Sequence, residues 1–101
     1  MRKLMLKDLF QFMRIIEKTG VDFLNVDIDG KPEQVGRDIL LNLIMNIPKA
    51  EKEIYKFIGE FIEKPEEMDL KQIKDFVDEF LEVNEPEDII AFFKSALLKR
   101  G

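Results

Sequence analysis

Asn25, Asp27 and Asp29 stand at alternate positions ahead of Gly30, a spacing that opens a calcium-binding loop. In such a loop, side-chain oxygens converge on one cation and the glycine supplies the sharp turn. The second half of the loop is missing. Its twelfth position requires a bidentate glutamate and is Gly36, and its eighth is Pro32. The segment reads as an Asp29-Gly30 turn with solvated carboxylates, and no metal ligand is assigned. Nucleophilic chemistry has no better footing. Ser95 is the only serine and Thr19 the only threonine, and the chain has neither histidine nor cysteine. Without an imidazole there is no ordinary base to activate a hydroxyl, and without a thiol there is no disulfide, thiolate zinc site or sulfur redox chemistry. Carboxylates come in adjacent pairs, Glu66-Glu67, Asp78-Glu79 and Glu87-Asp88. Neighbouring residues point to different sides of a helix, so these pairs do not form an acid/base couple. The glycines follow no phosphate-cradling pattern, and one tyrosine with no tryptophan leaves little for base stacking. No catalytic residue, cofactor site or metal site is assigned, and the expectation is a protein that binds other proteins.

The elements that would carry such binding are helical. Apolar residues recur at the 3.6 period almost throughout, which predicts an all-α bundle of about five short helices in one domain over 1–101. The first helix is expected over 8–18, with Asp8 and Gln11 as a capping box and Gly20 as the left-handed stop. Residues 20–32 are irregular yet hold Phe23, Leu24, Val26 and Ile28, too apolar for a polar linker. The second helix, 33–47, contains ILLNLIMNI, apolar on every side except Asn42 and Asn46. It is expected either at the centre of the fold or in a subunit interface, with the two asparagines bonding across helices to fix register. Pro48 then breaks the ladder. A third helix is expected over 49–64, where Gly59 points to a close helix approach or is merely tolerated. A fourth over 69–82 opens on a second capping box, Asp69 with Gln72, and a fifth over 85–100 is capped by Asn84 with Pro86 in its first turn.

Charge is unevenly spread. The net charge is −5, but residues 60–88 carry twelve acids against three bases, while both ends of the chain are basic. That acidic stretch would repel phosphate backbones and argues against nucleic acid as a partner. The basic ends can pair with it in the same chain or in a neighbour. Charged residues interrupt every apolar run, so no membrane span is expected, and the cytoplasm is the default compartment. Nine phenylalanines leave two readings open. Either nearly all of them lie in the core, or the 39–47 helix, the broad face of 9–16 and Phe92-Phe93 leave apolar surface for a partner helix or a second copy.

The opening Lys3-Leu4-Met5-Leu6-Lys7-Asp8-Leu9-Phe10, with Ile15-Ile16 after it, resembles the start of tail assembly chaperones from long-tailed phages and prophages of Gram-positive bacteria. The resemblance continues through Ile39-Leu40-Leu41, the run from Ile47 to Glu53 and Ile90-Ala91-Phe92-Phe93. It implies a non-catalytic protein of the host bacterial cytoplasm, absent from the mature virion. Such a protein binds and solubilises the hydrophobic, helical tape measure protein, helps recruit major tail protein, and self-associates as a homo-oligomer. Leu4, Leu6, Asp8, Phe10, Pro48, Phe92 and Phe93 fall on the family pattern. The residues expected at the protein-binding surface are Leu4, Leu6, Phe10, Leu40, Asn42, Ile44, Asn46, Phe92 and Phe93. Two alternatives remain at this stage. One is a small regulatory partner of the antitoxin or anti-repressor kind, and the other is a DNA-binding helical domain, for which Lys71 and Lys74 sit poorly among acids.

Overall fold

A computed structural model of the chain describes residues 1–20 and 29–100, with side chains described as far as Leu97. Among the described residues the fold is all-α, with five helices and no strand. The helices are α1 (Leu6–Thr19), α2 (Pro32–Met45), α3 (Glu51–Gly59), α4 (Leu70–Val83) and α5 (Pro86–Arg100). Short 3-10 turns, Ile47–Lys49 and Pro65–Glu67, follow α2 and α3. The Cα radius of gyration is 12.4 Å, close to the ~13 Å of a compact chain of this length.

Local rules account for most helix ends. Pro32 occupies the first turn of α2, where its missing N–H costs nothing. The expected box opens α4: the Gln72 amide donates to Asp69 Oδ1 at 2.8 Å, and the Asp69 amide donates to Gln72 Oε1 at 2.9 Å. Gly20 ends α1 with φ +72°, a conformation that L side chains rarely adopt.

Three helix boundaries differ from the sequence reading. Asp8 is not the cap of α1. Met5 is, and Asp8 lies in the first turn with its Oδ2 accepting the Met5 amide at 2.8 Å, while Gln11 donates to the Glu53 carbonyl at 3.0 Å. The helix starts earlier than expected because the carboxylate satisfies an orphan amide from inside the first turn. Next, α3 stops at Gly59 and does not reach residue 64. Lys64 takes a left-handed φ of 48°, and its place ahead of Pro65 disfavours the right-handed helical region that a longer α3 would need there. Gly59 is thus a helix end on the surface, and among the described residues only Pro65 lies near the place a Cβ would take and no second helix approaches it. Third, Asn84 does not use its amide oxygen to cap α5. That oxygen accepts the Leu4 amide at 3.0 Å, and the Asp88 and Ile89 amides in the first turn of α5 donate to the Glu85 carbonyl.

The core links all five helices. Phe12, Ile15 and Ile16 of α1 are buried with Ile39 and Leu43 of α2, Ile54, Phe57 and Ile58 of α3, Phe76 and Phe80 of α4, and Ile89, Phe93 and Ala96 of α5. Rings in contact run through it: Phe12 meets Phe57 at 5.6 Å, Phe57 meets Phe61 at 5.5 Å, Phe61 meets Phe80 at 5.2 Å, and Phe80 meets Phe76 at 5.7 Å. Such tilted and edge-on pairs add about 0.5–1.5 kcal/mol each beyond burial. The central helix is α5, which packs against both α1 and α2. Its apolar arc from Phe92 through Ile89 and Phe93 to Leu97 is broad enough to serve two neighbours. Gly36 lets α2 come close: a Cβ there would lie 3.2 Å from Leu81 Cδ2 and 3.7 Å from Ile89 Cδ1.

Candidate protein-interaction surfaces

Large apolar side chains that stay outside gather mainly on two helices. On α1 and its cap these are Met5 (54 % exposed), Leu6 (68 %) and Phe10 (46 %). Leu6, Phe10 and the half-buried Met13 follow the four-and-three spacing of one helix face. Lys7, Arg14 and Lys18 run along one flank of this ridge, again at helical spacing. On α2, Leu41 and Met45 stand four apart, with Met45 75 % exposed and Ile44 half-buried beside them. Leu70, at the first position of α4 and 86 % exposed, is the remaining exposed large apolar residue among the described residues.

The sequence-predicted surface residues divide between outside and inside. Leu6 and Phe10 are exposed, while Leu4, Ile44, Asn42 and Phe92 are partly covered. Leu40, Asn46 and Phe93 are buried and offer nothing to a partner of this folded chain. Phe92 and Phe93 both pack on Phe12, with centroids 5.3 and 6.1 Å away, so this pair is core and not spare surface. The expectation for the asparagines is also corrected. Asn42 Nδ2 donates to the Asp38 carbonyl at 2.9 Å and Asn46 Nδ2 to the Asn42 carbonyl at 2.7 Å. Both bonds lie within α2 and its end. Each amide reaches back one turn to a local carbonyl, which costs less chain ordering than a bond across helices. Leu41 and Met45 are a pair that the sequence reading does not single out. Their signal is the apolar tract itself, since a helix apolar all round cannot bury every face in a bundle this small.

A polar clasp that sequence spacing does not reveal fastens residues 1–5 across the bundle. The Arg2 guanidinium grips Asp8 with two parallel bonds, Nη1 to Oδ2 at 2.7 Å and Nη2 to Oδ1 at 2.8 Å, and the Asp8 side chain is 2 % exposed. The same guanidinium lies 4.6 Å from the centroid of the Phe61 ring and 3.5 Å from Glu60 Oε2, which also faces Lys7 Nζ at 3.3 Å. The hydrogen bond to Asp8 raises the Arg2 pKa, partly opposed by burial, with the charges of Asp8 and Glu60 adding to the rise. The Leu4–Asn84 bond described above fixes the far side of this segment.

Beyond the end of α3 lies an acidic groove of about 420 Å³. Ile62, Met68 and Phe76 line it together with Glu63, Glu67, Asp75 and Glu79. Lys64 reaches Glu67 at 3.8 Å. Glu63, Asp75 and Glu79 have no cationic partner among the described residues.

The chemistry tests from the sequence have structural answers where the residues are described. Thr19 Oγ1 donates to the Ile15 carbonyl at 2.9 Å, a helix-end bond. No carboxylate group among the described residues is arranged to hold a metal ion. The Asn25-Asp27-Asp29 pattern lies largely outside the described residues, as do Phe23, Leu24, Val26 and Ile28. No described helix is long and apolar enough to cross a membrane. Comparison of the chain with protein-family models, curated proteins and solved structures gave no match.

Proposed function

We propose that this protein is a non-catalytic assembly chaperone of phage tails, which binds the helical, apolar tape measure protein and keeps it soluble until major tail protein polymerises around it. The observation that carries the reading is the pair Leu41 and Met45, left outside on the most apolar helix of the chain. Two large side chains four apart, with Ile44 beside them, make a ridge against which an amphipathic client helix can pack. Burying the exposed part of Met45 alone is worth about 1–2 kcal/mol, a weak anchor suited to a client that must be released. Repetition of many such contacts along a long client would supply avidity without any single tight site. The acidic stretch around α4 gives each bound copy a negative outer surface that opposes aggregation.

Co-expression is the test. Tape measure protein from the same tail gene cluster should move from the pellet to the soluble fraction when this chain is present. An unchanged soluble yield sinks the client role.

A further inference from the structure

We propose that the seat beneath residues 1–5 is a docking site for an extended segment of another protein, one that carries an arginine two positions before a large aliphatic residue. Residues 1–5 fill that seat in cis and so guard it. They form no helix or strand, and Met5 has extended dihedrals, φ −130° and ψ 168°. Covered and uncovered side chains alternate along them: Arg2 and Leu4 are half-buried, Lys3 and Met5 exposed. That is the period of two expected of an extended chain laid on a surface. The segment is held as a bound peptide would be, and its contacts define what the seat selects.

Four side chains do the selecting, and none belongs to residues 1–5. The Asp8 carboxylate, 2 % exposed, takes the guanidinium fork of Arg2 in two bonds, a match that the single ammonium of lysine cannot make. Phe61 and Glu60 complete that end, with the ring centroid 4.6 Å from the guanidinium and the Glu60 carboxylate 3.5 Å away. Two positions on, the buried Asn84 accepts a main-chain amide, that of Leu4, at 3.0 Å, and the Leu4 side chain packs against the core. Main-chain bonding of this kind gives affinity for any extended chain, and the two side-chain slots give the sequence preference.

The guard sets the strength of the site. A partner binds only those chains whose residues 1–5 have lifted, so its apparent affinity is reduced by that fraction. A tethered segment acts at an effective concentration of ~1 mM, and a free copy of it competes only near that value. The occupant is extended and the test needs no tape measure protein, so its outcome is independent of the client reading.

An NMR titration with the capped synthetic peptide of residues 1–5 tests it. Arg2→Glu with Leu4→Ser should release the guard and leave the seat intact. The peptide should then shift the Asn84 side-chain amide signals and bind this variant about tenfold or more tightly than the unaltered chain. Exchanging arginine for lysine in the peptide should weaken binding about tenfold, since the fork is lost. Glu60→Lys in the released chain, at a side chain 40 % exposed, should weaken it as well. In the unaltered chain, several mM of peptide, above the ~1 mM of the tethered copy, should speed hydrogen exchange at the Leu4 amide. Circular dichroism checks that each variant is folded. Absence of binding to a folded released chain, or equal binding of the arginine and lysine peptides, overturns the proposal. If the released chain does not fold, unchanged Leu4 exchange in the unaltered chain overturns it instead. A doubled mass of the released chain mixed with unaltered chain, with no peptide bound, assigns the seat to a second copy and equally overturns it.

Discussion

Replacing Asp8 by asparagine should weaken the fold far more than its place near the end of the chain suggests. The carboxylate is almost fully enclosed, and it accepts from the Arg2 guanidinium at 2.7 and 2.8 Å and from the Met5 amide at 2.8 Å. Breaking a fully buried ion pair costs about 3–5 kcal/mol because a charge is stranded. Arg2 is 28 % exposed in its side chain and can rehydrate once released, and the new side-chain carbonyl would keep one acceptor for the Met5 amide. The expected loss is therefore about 2 kcal/mol, against about 3 for Asp8→Ala, which also strands the Met5 amide. With a slope of ~1–1.5 kcal/mol/M for a chain of this size, the urea midpoint read by circular dichroism should drop by about 1.3–2 M for Asp8→Asn. A double-mutant cycle with Arg2→Met isolates the pair and should return a coupling of ~1–2 kcal/mol. A midpoint that barely moves, or a coupling near zero, would show that the clasp is a contact without energetic weight.

Four further substitutions separate core, surface and backbone effects. Phe12→Ala removes the ring that touches Phe57, Phe92 and Phe93 and should cost ~3–5 kcal/mol in urea unfolding, whereas Phe10→Ala, two residues away and 46 % exposed, should stay within about 1 kcal/mol. Gly36→Val places branched methyls where Leu81 Cδ2 already lies 3.2 Å from a Cβ position, and thermal unfolding should register a loss of about 2 kcal/mol or more. Lys64→Gly relieves the left-handed strain at φ 48° and should raise stability by up to ~1 kcal/mol, since its 3.8 Å contact with Glu67 is an exposed ion pair of little value.

What is legible in the sequence is what is local. The Asp69–Gln72 box, Pro32 at the head of α2 and Gly20 at the tail of α1 each depend on residues within a turn of one another, and each stands where the spacing places it. The helical stripes are equally legible, because burial of one face is what the 3.6 period encodes. Long-range polar contacts are not. Nothing in the spacing of Leu4 and Asn84, eighty residues apart, announces that one accepts the other's amide. Asp8 escapes the spacing argument for the same reason, since its role depends on Arg2 folding back over Glu60 and Phe61. The asparagines of α2 carry a different lesson. A polar side chain in an apolar helix can satisfy itself on its own backbone, so it need not mark an interface. Most of the phenylalanine surplus is also core. Between them, α5 and the Phe12–Phe57–Phe61–Phe80 contacts enclose more aromatic surface than the separate stripes suggest.

Calorimetric titration of this chain into a soluble helical fragment of the tape measure protein bears most directly on the proposed role. Binding should carry a negative heat-capacity change, the mark of apolar burial, and Met45→Glu, altering a side chain that is 75 % exposed and outside the core, should weaken it about tenfold or more without changing the helical circular dichroism. Heat of binding that is absent, or that is indifferent to Met45→Glu and Leu41→Glu alike, would contradict the account.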